Sequence, residues 1–166
     1  MANRTARLVR EFEEANQEFT ETVKSVSNED WKNICPAENW TVGVTAHHVA
    51  TSYTLAIDVL QALAAGESRT VTVEMLDEMN AEHAVRYADC TREETVRFLR
   101  TNGEKAAATI RRVPDETLDT RHQLPFLGEE PVSLEQFVDI CLIGHHWAHL
   151  PSIRDAAPSA ARATAS

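Results

Sequence analysis

From Ser133 onward the apolar residues Leu134, Phe137, Val138, Cys141 and Leu142 recur at three- and four-residue intervals, and the same spacing carried forward lands on His145, His149 and Ile153. Such a stripe is the face that a buried α-helix turns to a core. Two imidazoles thus occupy slots that periodicity assigns to the interior, where a ring without a hydrogen-bonding or metal partner costs on the order of 1–3 kcal/mol. Positions four apart lie one above the other, so His145 and His149 can converge on one ion, whereas His146 is angled away. The start of this helix is well specified: Ser133 and Gln136 form a capping box, with Val132 and Phe137 in staple positions. Pro151 removes the amide that the Trp147 carbonyl needs, which predicts a kink or fraying just past His149.

The rest of the chain reads as more helices of the same amphipathic kind. Arg4 to Val26 carries Leu8, Phe12, Ala15, Phe19 and Val23 at helical spacing. Ser27 to Trp40 is irregular and reads as a connection that packs Trp31 and Trp40 on the bundle. Thr41 is the expected N-cap of a second helix that Gly66 stops. Along it Val44, His48, Leu55, Val59 and Ala62 share a face, and His47 projects to the side. Thr70 to Ala88 begins as a possible extended segment and becomes helical. His83 there reads as solvated, or as reaching a central pocket with Asn80 if the Leu76, Asn80, His83, Tyr87 stripe faces inward. Thr91 with Glu94 opens a helix through Arg112. The Pro- and Gly-containing stretch 113–131 reads as a long connection with a solvated His122. The expected architecture is all-α: a four-helix bundle with an additional shorter helix, one domain over 1–156, and a disordered tail over 157–166.

The formal net charge of −10, without a basic cluster, argues against nucleic acid and against an anionic membrane surface. There is no apolar run of membrane-spanning length, and MANRTARLVREFEE turns acidic where a signal peptide needs its apolar segment, so a cytoplasmic protein is expected. Cys35, Cys90 and Cys141 are scattered, which fits reduced, packed thiols rather than a disulfide framework.

Helical periodicity directs His48 from one helix, and His145 and His149 from another, to the same interior. Three neutral imidazoles without carboxylates describe an open site for a divalent transition metal, with zinc the first expectation and nickel its rival. Cys141, one turn before His145, reads either as a further ligand or as an apolar filler. His47 and His146 lie off the core stripes, which favours surface or packing roles over second-sphere hydrogen bonding or proton transfer.

The run Trp40-Thr41-Val42-Gly43, with His48 eight positions after the tryptophan and Val49 following, resembles the W-[ST]-x-x-E-x-x-x-H-[LI] segment of the DinB/YfiT-like superfamily. His145 and His149 match its C-terminal H-x-x-x-H. The glutamate of the first pattern is Val44 here, and Leu150-Pro151-Ser152 stands where H-R-G-Q is common. The resemblance implies a four-helix bundle that holds a divalent metal on His48, His145 and His149. It also implies a homodimer, and kinship with mycothiol- or bacillithiol-dependent transferases and isomerases, hence a low-molecular-weight thiol as cosubstrate and a small-molecule electrophile as substrate. The competing expectations are a metal-dependent hydrolase on the same triad and a non-enzymatic metal-binding or stress-response module.

Overall fold

The computed structural model describes residues 3–163. Four long helical units make the bundle: α1 (Arg4–Ser25), α2 (Val42–Ala64), α4 (Arg92–Arg111), and a C-terminal rod over 134–156. The rod is built of α5 (Leu134–Val138), a π-helical turn (Asp139–Ile143) and α6 (Gly144–Ala156). α1 and α2 each pack on α4 and on α6, so the four form a ring with α1 and α2 on a diagonal. The core between them is fully buried and apolar, with Leu8, Phe12, Phe19, Leu60, Leu99, Ile110 and Leu142 among its members. The shorter helix α3 (Val73–Arg86) lies against α2 and has no fully buried residue.

The caps read from sequence are present. Thr41 Oγ1 accepts from the Val44 amide, and Thr91 Oγ1 from the Glu94 amide. Ser133 and Gln136 close the reciprocal capping box. Val44 in place of glutamate leaves the Thr41 cap one-sided yet intact.

Four features depart from the sequence expectations. The 27–40 connection contains a two-residue antiparallel pair, β1 (Ile34–Cys35) with β2 (Trp40–Thr41). Its turn carries Asn39 at φ 58°, a left-handed conformation that asparagine tolerates. The 113–131 stretch likewise contains 3₁₀ turns and runs into a second pair, β3 (Arg121–His122) with β4 (Val132–Ser133), and buried Leu118 and Leu124 pin it to the core. The fraying expected past His149 does not occur: α6 continues through Pro151 to Ala156. The expected disordered tail is corrected over its first part, because Pro158–Ala163 form α7. Small Ala157 and Ala160 bury against the bundle, and Ser159 bonds both Asp30 and Ser27. Residues 164–166 of that tail lie outside the described residues. No helix among the described residues is long and apolar enough to cross a membrane.

Candidate metal centre

The π turn sets how the rod presents its histidines. In an α-helix the repeated four-residue steps Leu134, Val138, Leu142, His146, Leu150, closed by three to Ile153, drift about 100° off one face. One extra residue in a wide turn absorbs that drift. The amide of Gly144 bonds the Asp139 carbonyl five residues back, and a Cβ at Gly144 would stand 2.8 Å from that oxygen. Beyond the turn, His146, Leu150 and Ile153 take the core positions. His145 and His149 are rotated out of the core to the wall of a cleft.

This corrects the reading of His146 as angled away from the interior. It is fully buried between Phe12 and Phe19, edge-on to both rings. Asn16 Nδ2 donates to the Leu99 carbonyl, so its Oδ1 faces Tyr53 and takes the phenol proton at 2.9 Å. The Tyr53 oxygen is also in close contact with His146 Nε2, while His146 Nδ1 lies 3.2 Å from the Ile143 carbonyl. Burial pushes the His146 ring down to about 4, so it is a neutral core group.

His48, His145 and His149 come together as expected. Their ligand nitrogens all lie within 4.8 Å of one another. The rings are 5.1 Å (His48 to His145), 5.4 Å (His48 to His149) and 4.9 Å (His145 to His149) apart between centroids. Burial first, and the neighbouring rings second, push His48 down to about 2 and His145 to about 3, so both offer lone pairs at neutral pH.

The donor set fits a divalent transition metal. His48 Nε2 and His145 Nε2 stand 3.2 Å apart. Two nitrogens bonded to one tetrahedral zinc at about 2.0–2.1 Å stand about 3.3 Å apart, so these rings already hold a chelating separation. No carboxylate belongs to the cluster, which disfavours magnesium and calcium. His149 Nδ1 donates to Glu38 Oε1 at 2.7 Å, which fixes the tautomer and leaves Nε2 as the free lone pair. Ser152 Oγ donates to the other Glu38 oxygen at 2.6 Å and holds the carboxylate in place. Sequence reasoning missed Glu38. It sits in the β1–β2 turn, far along the chain from its partner, and no local motif marks it.

Two further rings extend the cluster. His47, expected off to the side, is fully buried, because the first turns of α2 are covered on several sides. Its Nδ1 lies 3.3 Å from His83 Nε2, and its ring stacks on Tyr87 at 4.2 Å. His83 is half-buried rather than solvated, 5.6 Å from the His48 ring, and burial pushes it down to about 4. The inward alternative for α3 is the observed one. Cys141 lines the same cleft outside the three-ring cluster. Burial pushes its thiol up to about 12, so at neutral pH it is a protonated wall group. The three cysteines are free thiols.

The histidines stand at one end of a cleft of about 980 Å³. A four-helix bundle that gathers three imidazoles from two helices at a cleft defines a class: DinB-like bundle proteins equipped to hold a divalent metal. The sequence profile of the mycothiol maleylpyruvate isomerase N-terminal domain matches residues 12–150, and this chain belongs to that family. Among solved structures it is similar to YfiT from Bacillus subtilis, described as a probable metal-dependent hydrolase with an unusual four-helix bundle topology. That match has a TM-score of 0.72 and 14% identity, and it covers 99% of this chain and 90% of that one. At that identity the likeness establishes the fold. No curated protein matches the chain.

Proposed function

We propose that this protein is a metal-dependent enzyme in which His48, His145 and His149 hold a zinc or nickel ion and a low-molecular-weight thiol is activated to attack a small electrophile. The observation that carries this reading is the convergence of three imidazole nitrogens within 4.8 Å at the end of a cleft. A divalent metal bound there acidifies a coordinated thiol or water and polarises an electrophilic oxygen. The protein's own residues do the rest. Glu38 and Ser152 lock the His149 ring, and Trp40 stands edge-on to His48 with centroids 5.4 Å apart. Asn80 and the Tyr87 hydroxyl, both on the cleft wall, make no hydrogen bond among the described residues and are free to orient a bound molecule.

Thiol chemistry is preferred over hydrolysis because a cleft of about 980 Å³ accommodates a thiol and an electrophile together, at the upper end of small-molecule sites. The family's description as a mycothiol-dependent isomerase domain points the same way. Hydrolysis is the second reading, favoured by the YfiT likeness. A turnover survey of zinc- and nickel-loaded protein separates them. Thiol–electrophile pairs are expected to react, and esters and amides to turn over slowly if at all. Turnover of esters alone would favour the hydrolase, and turnover of neither class by metal-loaded protein would leave the non-enzymatic module.

A further inference from the structure

The α2 residues that line the cleft run from His48 through Thr51 and Leu55 to Val59, all C-terminal of the histidine. Those of the rod run from His149 and His145 back to Phe137. The two helices therefore pass in opposite directions, and the cleft extends from the histidines for about 12–16 Å at 1.5 Å per residue. On α3 the order is Tyr87 and His83 beside the histidines, then Asn80, then Leu76 further out. The cleft is thus lined by imidazoles at one end and mainly by apolar side chains at the other, where Leu55, Val59, Val71, Leu76, Phe126 and Phe137 form the walls together with Thr54, Asp58 and Asp139.

Charge narrows the occupant. Among the described residues no lysine or arginine lines this cleft, and Asp58 and Asp139 are the only formally charged side chains there, both acidic. The hydroxyls of Thr51 and Ser52 donate to carbonyls of their own helix, His47 O and Val49 O, at 2.9 Å each, so neither proton is offered to a ligand carboxylate, and the exposed Thr54 hydroxyl is the uncharged donor left on this stretch of α2. A ligand with an anionic outer end would lose hydration without gaining a cation.

We propose that the cleft binds an elongated small molecule with an uncharged alkyl or aryl body in the outer part and a single donor head at the histidines, and that it excludes dicarboxylates. The role of the head rests on the metal reading above; that of the apolar body does not.

The test uses displacement of the neutral dye Nile red, from metal-free and from zinc-loaded protein, by butanol, hexanol, octanol and decanol and by the dicarboxylate suberate. Zinc binding is measured separately by equilibrium dialysis. Alcohol affinity is expected to rise about two- to fourfold per added methylene, with or without metal, and suberate is expected not to compete. Leu76→Lys, on a helix with no fully buried residue, is expected to weaken octanol at least tenfold and to gain suberate binding, with an unchanged melting temperature. Affinity independent of chain length, suberate competing as well as octanol, or Leu76→Lys leaving both ligands unchanged would each overturn the proposal. Length dependence without zinc binding would sink the metal reading and leave this one standing; zinc binding without length dependence would do the reverse.

Discussion

One carboxylate decides how His149 presents itself. An imidazole whose Nδ1–H is held by an ionised carboxylate is a better base at Nε2 and cannot rotate away from a ligand position. Glu38 does this from an otherwise exposed turn, with only 9% of its own side chain exposed. Glu38→Gln keeps the shape and removes the charge, and is expected to weaken zinc binding by about tenfold to a hundredfold in isothermal titration. An unchanged affinity would mean that the contact is incidental. The three histidines were legible because imidazoles recurred in otherwise apolar helical stripes. Glu38 was not, because it meets His149 across 111 positions of sequence and nothing in Pro36-Ala37-Glu38-Asn39 marks it.

At the scale of the element, the π turn explains why the right histidines were found for an incomplete reason. A constant helical period placed His145 and His149 in the core; the extra residue in 139–143 gives the core to His146 and turns the pair to the cleft. A π turn leaves no compositional trace, so period reading passes over it. Its requirement is local: a side chain at Gly144 meets the Asp139 carbonyl. Gly→Ala inside a regular helix stabilises by roughly 0.5–1 kcal/mol. Gly144→Ala is expected to do the opposite, lowering the melting temperature and reducing bound metal as the histidine register shifts. A gain in stability with full metal binding would show that the turn is dispensable. The four bundle helices, the caps at Thr41, Thr91 and Ser133 and the burial of Leu8, Phe12 and Phe19 were legible, because each rests on contacts within a few turns. The packing of α3 over His47 and the docking of α7 depend on tertiary contacts that no single helix period encodes.

For the whole molecule, a cluster of buried neutral histidines links stability to pH. Burial lowers His48, His83, His145 and His146 to between about 2 and about 4. The unfolded chain takes up protons on these rings near pH 6.5, which the folded protein refuses until the lower values are reached. Their contribution is therefore fully present above about pH 6.5 and is lost as pH falls from there toward about 4. For fully buried His146 alone the slope approaches about 1.4 kcal/mol per pH unit. Urea unfolding of metal-free protein between pH 7.5 and 4.5 is expected to give a falling midpoint, and a flat profile would contradict the burial of neutral rings. The central claim, that three particular histidines make one metal centre, is tested most directly by elemental analysis of purified untagged protein after zinc and nickel loading, comparing wild type with His48→Ala and His146→Ala. Near-stoichiometric metal in wild type, lost in His48→Ala and kept in a less stable His146→Ala, is the predicted result; no metal in wild type, or equal loss in both variants, would contradict it.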